Sequence, residues 1–364
     1  MVGVFFDMAR DLTQGSIPRH VLTLAIPALL SMFALVMNNL IDTGLVGHLG
    51  AAQVAAVGSA GFIVWLIFSI IDIFAVGTVA MISRHYGAGE LDAAAEKSQH
   101  IIKFAALFSI GFAVFGIVCS HYIYHLLGLA PDVERMGRVY LQIVFLAAPS
   151  LFIAESIGAI FRSVGDTTTP MIVMIAAVAA NIILDIFLIY GVWVFPRLET
   201  VGAAIATSVA HTLGLFLAFW FILKGKIPFR IIPKLRGGID LSVIWKMVKI
   251  GLPTSLASIN FAFVYLALTR IMSEFGTVAV AAIPVGNRAE SISYMTCFGF
   301  YIAASTMVGQ NLGAKQPERA TRAAWTTLGM ICGITFIYGL LFFGFSRHIP
   351  AILTNDADVV EIAS

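Results

Sequence analysis

The sequence predicts an all-α polytopic membrane protein, built as two pseudo-symmetric six-helix lobes with the second lobe truncated, so that about nine transmembrane helices are expected. Three observations carry this expectation. The first is composition: 59% of the 364 residues are hydrophobic, 12% are charged and the mean hydropathy is +0.94, whereas a soluble domain carries about 25% charged residues. The second is the length of the apolar runs. A hydrocarbon core about 30 Å thick takes roughly 20 apolar residues per crossing, and nine such segments follow one another. The third is an internal repeat at a constant offset.

The segments lie near residues 21–47, 54–83, 102–127, 139–161, 170–195, 202–223, 247–272, 278–308 and 324–346. Several exceed the minimum length, so those helices must tilt or project beyond the bilayer. The residues before the first segment, MVGVFFDMARDLTQGSIPRH, include Asp7 and Asp11 and lack a short apolar core ending in a small-residue cleavage site. They do not form a cleaved signal peptide, and the first helix is expected to serve as the insertion signal. Cys119, Cys297 and Cys332 each lie within an apolar helix and form no CxxC pair, so they are expected to be packing residues rather than a disulfide or zinc framework.

Net charge is only +2, so the informative quantity is where Lys and Arg fall between helices. With a cytoplasmic N-terminus, the inside carries Arg10, Arg19, Arg84, Lys97, Lys103 and Arg162. The long sixth connection adds Lys224, Lys226, Arg230, Lys234, Arg236, Lys246 and Lys249, and the eighth adds Lys315, Arg319 and Arg322. That is 16 of the 22, against five outside: Arg135, Arg138, Arg197, Arg270 and Arg347. Arg288 stays within the eighth segment. The asymmetry predicts an N-in protein of the cytoplasmic (inner) membrane.

Sliding the chain by 226 residues aligns LGAAQVAA (49–56) with FGTVAVAA (275–282), and SRHYGAGELDAAAE (83–96) with GQNLGAKQPERATR (309–322). Pro27 falls on Pro253, Thr43 on Thr269, Met81 on Met307, Asp132 on Asp358 and Val133 on Val359. A repeat of this period signals duplicated architecture. Six helices per copy is an even number, so both copies enter the membrane from the same side and are related by an axis along its normal, as in two-lobed transporters. The expected division is residues 1–226 for the first lobe and 227–364 for a second lobe of three helices, three short of a full copy.

Acids at membrane depth cost about 2.5 to 3.5 kcal/mol each on insertion scales and usually face a cavity or a partner. Asp42 and Asp185 share a pattern, NNLID and NIILD, that puts Asn38 and Asn181 four residues before them. One helical turn places amide and carboxylate on one face. Both segments run outward, so both acids fall past the midpoint and can meet in the outer half of the first lobe. Two carboxylates sharing a cavity cannot both ionise cheaply, which suits a group that takes and releases a proton. Asn38, Asp42, Asn181 and Asp185 are therefore the candidate coupling-ion site, with interhelical packing as the alternative reading.

Asn39, Asp72, Glu155, Arg288 and Glu290 are candidate substrate or gating residues. Asp72 has only the Ser69 hydroxyl within one turn. Glu155 and Arg162 are seven apart on one face and read first as a structural ion pair. Arg288 and Glu290 point to different faces and need partners on other helices. Pro27 and Pro253, near the starts of corresponding segments, remove a backbone bond and permit a hinge. His121 and His125 have the i, i+4 spacing of a metal pair, but no further ligands are indicated, and with Tyr122 and Tyr124 they read as an interfacial aromatic belt. The GAG at Gly87 to Gly89 caps a helix rather than cradling phosphate. No nucleophile with a base, P-loop, cofactor site or nucleic-acid surface is present, so an enzyme is not expected.

These residues together resemble the MATE (multidrug and toxic compound extrusion) transporters, nearest their DinF-like branch. The resemblance rests on Pro27 with Asp42 fifteen residues on, GAG at Gly87, GQNLGA at 309–314, RSVGDTTTP at 162–170 and NIILD at 181–185, and it runs from about residue 15 to the end. It implies a monomeric antiporter that exports lipophilic or amphipathic organic cations by alternating access, against entry of protons or sodium. It also implies cation coupling at Asp42, Asn181 and Asp185. A second-lobe sodium site of the family needs acids on its seventh and tenth helices. Here the seventh reads GLPTSLASINF, without an acid, and the tenth is not in the chain, which favours protons over sodium. A lipid-linked-saccharide flippase of the same superfamily would need a cationic cavity, and beyond Arg288 the helices offer little positive charge. A non-transporting truncated paralogue is the remaining alternative.

Overall fold

In the computed structural model, residues 10–231, 238–275, 277–346, 348–353 and 360–362 are described. The helices are α1 (Ile17–Gly47), α2 (Ala51–Gly87), α3 (Leu91–Leu127), α4 (Pro131–Leu146), α5 (Ala148–Ser163), α6 (Thr168–Tyr190), α7 (Glu199–Leu223), α8 (Leu241–Ser273), α9 (Thr277–Gly313), α10 (Pro317–Gly344) and α11 (His348–Leu353). No strand occurs among the described residues.

Seven of these helices are long and apolar enough to cross a membrane, or eight if the pair α4 and α5 is one span. That pair is the single segment expected at 139–161. It bends by 46° at Ala147, where Pro149 enters the first turn of α5 and cannot supply a backbone N–H. The seventh expected segment, 247–272, is α8, whose 33 residues reach about 50 Å. It falls outside the count of seven or eight, which covers described residues only.

Helix ends follow local chemistry. After α2, Gly89 takes φ +75°, so GAG turns the chain back as a cap. After α5, Gly165 takes φ +85°, and the Asp166 carboxylate accepts the Thr168 and Thr169 N–H groups at 3.0 and 2.9 Å, starting α6. Asp240 caps α8 through Ser242 N–H at 2.8 Å, which holds its carboxyl below the usual carboxylate range. Both α1 and α8 run unbroken through Pro27 and Pro253; Pro27 is buried and Pro253 exposed.

Helices α1 to α7 pack on one another, α8 and α9 lie chiefly against α2 and α1, and α10 lies against α9; the repeat assigns α8 to α10 to the second lobe. The first lobe has a dense aromatic centre: Phe108 of α3 lies 5.3 Å from Phe74 of α2 and 5.5 Å from Phe152 of α5. Gly116 lets the Phe145 ring lie against α3, since a Cβ there would come within 2.1 Å of it. Between lobes, α1 packs on α9, and α2 on both α8 and α9. This packing is concentrated near the end that carries Arg84, Arg162 and Arg319, here called the basic end. Val21, Leu24, Ala25, Phe300, Ala303 and Met307 form one buried cluster there, and Ser255 donates to the Ser69 carbonyl at 2.6 Å. Toward the opposite end, Met37, Leu40, Val54, Val264 and Leu268 are exposed.

Two sequence expectations change in detail. Cys119 and Cys297 are partly buried, but Cys332 is exposed, so it faces outward instead of packing. Ser69 does not serve Asp72; its hydroxyl donates to the Trp65 carbonyl at 3.1 Å, one turn back. Asp7, Lys234, Arg236, Arg347, Asp358 and Val359 lie outside the described residues.

Candidate functional site

In α1 and α6 the Asn-to-Asp spacing of four puts each amide and acid on one face, and both faces turn into the first lobe. Asn38 Nδ2 donates to Asp42 Oδ2 at 3.1 Å. The Asp42 and Asp185 carboxyls lie close enough to interact electrostatically. Asn181 Nδ2 donates to Thr207 Oγ1 of α7 at 3.4 Å. Tyr140 of α4 stands close enough to interact electrostatically with both acids. The register of α1 against α6 is fixed by the Tyr190 hydroxyl, which donates to the Leu45 carbonyl at 2.8 Å, and by apolar packing of Val46, Ile189 and Ala203.

Burial gives this cluster its chemistry. Asp185 is 0% exposed, Asn181 2% and Asn38 8%. Both carboxylate oxygens of Asp185, Oδ1 of Asp42, and the side-chain oxygens of Asn38 and Asn181 have no hydrogen-bond partner among the described residues. Five acceptor atoms thus converge with few donors. Buried polar groups are normally satisfied, and an all-acceptor cluster is completed by a positive charge or a hydrogen: a proton shared between the carboxyls, or a hard cation that takes oxygen ligands.

A second charged group lies nearer the middle of the fold. The Arg162 guanidinium donates to the Glu155 carboxylate as an ion pair on α5. Asp72 of α2 interacts electrostatically with both, and across the lobe interface with Tyr294 and Tyr301 of α9. With Glu155 paired to Arg162, Asp72 is the acid of this group left without an ion-pair partner among the described residues, and tyrosines stand beside it.

Asn39, Arg288 and Glu290 are exposed. No group of three or more metal-ligating side chains occurs among the described residues. His121 and His125 are exposed at the end of α3, and His121 Nδ1 accepts from Arg138 at 2.9 Å. Tyr140 and Thr207 escaped the sequence reading, because each comes from a helix whose register against α1 and α6 is a tertiary property; the isolated polar pair Thr207–Ser208 within apolar α7 was the one available signal.

Comparison with known proteins places this geometry in a family. The MatE family pattern matches residues 27–187 and again 253–364, two matches that begin 226 residues apart, the offset of the internal repeat. The chain is 26% identical over 353 residues to a Thermotoga maritima protein described as "Probable multidrug resistance protein NorM", covering 95% of this chain and 74% of that protein. It is 28% identical over 354 residues to a Shewanella oneidensis protein described as a FAD transporter, covering 96% and 77%. The fold superposes on a MOP superfamily transporter from Pyrococcus furiosus with TM-score 0.88 at 21% identity, covering 97% of this chain and 77% of that one. It superposes equally, with TM-score 0.88 at 20% identity, on an outward-facing conformation of a multidrug resistance MATE family transporter, covering 97% and 78%. With both halves of the family pattern present on an all-helical, two-lobed, multi-pass fold, the chain belongs to the MatE family of membrane transporters and is not an enzyme.

Proposed function

We propose that this transporter is a proton-coupled antiporter that exports lipophilic organic cations, with the Asp42–Asp185 pair as its proton site and the basic end in the cytoplasm. The observation that carries the reading is the buried pair itself: two carboxyls close enough to interact electrostatically, with Asp42 held by Asn38 and with buried carboxylate and amide oxygens that have no hydrogen-bond partner among the described residues. Ionisable groups at membrane depth default to function, and this pair holds one proton more cheaply than two charges.

The cycle follows from differential binding. With the site open to the cytoplasm and the pair ionised, a cation with apolar bulk binds in the cleft, where Asp72 offers an acid and Tyr294 and Tyr301 add aromatic surface. The lobes then rock to open outward, and an external proton neutralises the pair and releases the cargo. Proton and cargo drive this only because each prefers a different state. Sodium in place of the proton would use the same oxygens.

The decisive experiment reconstitutes the protein in liposomes and follows efflux of a cationic dye under an imposed pH or sodium gradient, with Asp42→Asn alongside. Dye movement driven by pH and lost in Asp42→Asn supports the reading; movement driven only by sodium reassigns the ion. If Asp42→Asn transports as well as the parent, the site assignment fails.

A second reading has one specific observation behind it, the Shewanella oneidensis relative described as a FAD transporter. An anionic dinucleotide needs positive charge in the cleft, yet Arg162 is engaged by Glu155. Competition of flavin dinucleotide against the dye in the same liposomes separates the two cargo classes.

A further inference from the structure

The basic end of the lobe interface combines two features that the coupling site does not explain. One is a backbone crossing of α2 and α9. A Cβ on Gly87 would stand 2.0 Å from the Gln310 carbonyl oxygen, and one on Gly313 would stand 1.9 Å from the Arg84 carbonyl oxygen. These contacts are reciprocal under the repeat, since Arg84 and Gln310, like Gly87 and Gly313, are 226 residues apart. The pseudo-twofold axis therefore passes through this crossing, and only glycine permits so close an approach.

The other feature breaks that symmetry. Where the first copy has Arg84 and His85, exposed or bonded locally to Glu90 at 2.6 Å, the second has Gln310 and Asn311, 1% and 0% exposed. Gln310 Oε1 accepts from Leu12 N–H at 3.2 Å, and its Nε2 donates to the Ser163 carbonyl at 2.9 Å. Asn311 Nδ2 donates to the Leu12 carbonyl at 3.3 Å. One turn earlier, Thr306 Oγ1 donates to the Arg162 carbonyl at 3.1 Å. Arg319 adds bonds to the Gln14 and Gly15 carbonyls at 2.8 and 2.9 Å. The second lobe thus grips main-chain groups of the first at the last turn of α5 and at the segment before α1.

The Ser163 carbonyl belongs to the last turn of α5, where carbonyls lack an intrahelical partner, and the Arg162 carbonyl also accepts the Gly165 N–H at 3.0 Å, so water or the turn itself replaces the side chains when they withdraw. Each bond then contributes only its modest net value, which makes the set reversible rather than permanent.

We propose that Gln310, with Asn311 and Thr306, is the latch that holds the basic-end gate shut in the outward-open state, and that it must release for that end to open. Gln310 is a positioning residue: it touches neither cargo nor ion and acts through the Ser163 and Leu12 backbone. The proposal rests on the alternating-access reading above but not on the identity of the ion or cargo.

The test uses the full chain in nanodiscs with Cys119, Cys297 and Cys332 replaced by serine. Ala303→Cys, at an α9 position 0% exposed against α1, reports opening through its rate of reaction with a hydrophilic maleimide. Gln310→Met and Thr306→Val preserve volume and remove bonds across the interface. Each should raise the labelling rate several-fold, on the order of five- to tenfold for one net hydrogen bond. Ser156→Ala, which removes a buried bond to the Phe152 carbonyl within α5, should leave the rate unchanged. Rates equal to the parent in folded, monodisperse variants overturn the latch, and so does an equal rise in Ser156→Ala, which would mean general loosening. If Gln310→Met does not fold, Thr306→Val alone decides. Because labelling needs neither cargo nor gradient, a negative result here leaves the proton reading standing, and failure of pH-driven transport leaves the latch standing.

Discussion

Asp185 has both carboxylate oxygens buried without a protein donor, and its neighbour of opposite chemistry, Asn181, spends its amide on Thr207. Its stabilisation therefore depends on what it shares with Asp42. Replacing it with asparagine keeps the shape and supplies a donor to Asp42, so Asp185→Asn should fold normally and lose pH-driven dye transport to the level of empty liposomes. Thr207→Val removes only a 3.4 Å contact at the margin of hydrogen-bond length and should change the initial rate less than about threefold, a fraction of one net hydrogen bond. Initial rates against imposed pH gradients measure both; equal losses in the two variants would mean that the cluster is packing rather than a proton site. The four residues of this cluster were legible because each Asn and Asp lies one turn apart in its own helix, a local pattern. Tyr140 and Thr207 were not, since nothing local says which turn of α4 or α7 faces the acids.

At the scale of elements, the glycines of the basic end and those with open space beside them separate two roles that sequence alone does not distinguish. Gly313 meets the α2 backbone, whereas Gly329 in α10 has no heavy atom within 4 Å of a built Cβ. Gly313→Ala must push α2 and α9 apart, an overpacking cost of about 1–3 kcal/mol, while Gly329→Ala gains up to about 1 kcal/mol of helix propensity. Thermal unfolding in detergent should show a fall for the first and no fall for the second. The repeat made the pairing of these elements foreseeable, and the bend between α4 and α5 could be read from Pro149. The burial of Gln310 and Asn311 could not be read, because the matching Arg84 and His85 of the first copy suggest exposed polar residues there.

On the scale of the molecule, the composition gives the class and the 226-residue offset gives the lobes, but neither tells which end of the cleft is closed. That choice lies between two packings of the same helices that differ by little energy, and the close contacts between lobes described above lie at the basic end. The cationic residues of the connections at this end, among them Arg84, Lys97, Arg162, Lys315 and Arg319, predict that it faces the cytoplasm, since Lys and Arg near helix ends are enriched on that side. Single cysteines test this directly in the cysteine-free background. Ala88→Cys lies in the exposed α2–α3 turn at the basic end, and Trp193→Cys in the α6–α7 connection at the other, where the native side chain is 86% exposed. In intact cells a membrane-impermeant maleimide should modify position 193 and spare position 88, and in inverted vesicles the order should reverse. The opposite pattern would put the closed end outside, and with it reverse the direction in which the Asp42–Asp185 pair meets the external proton. The latch would then guard the outer gate and the same geometry would describe an inward-open transporter.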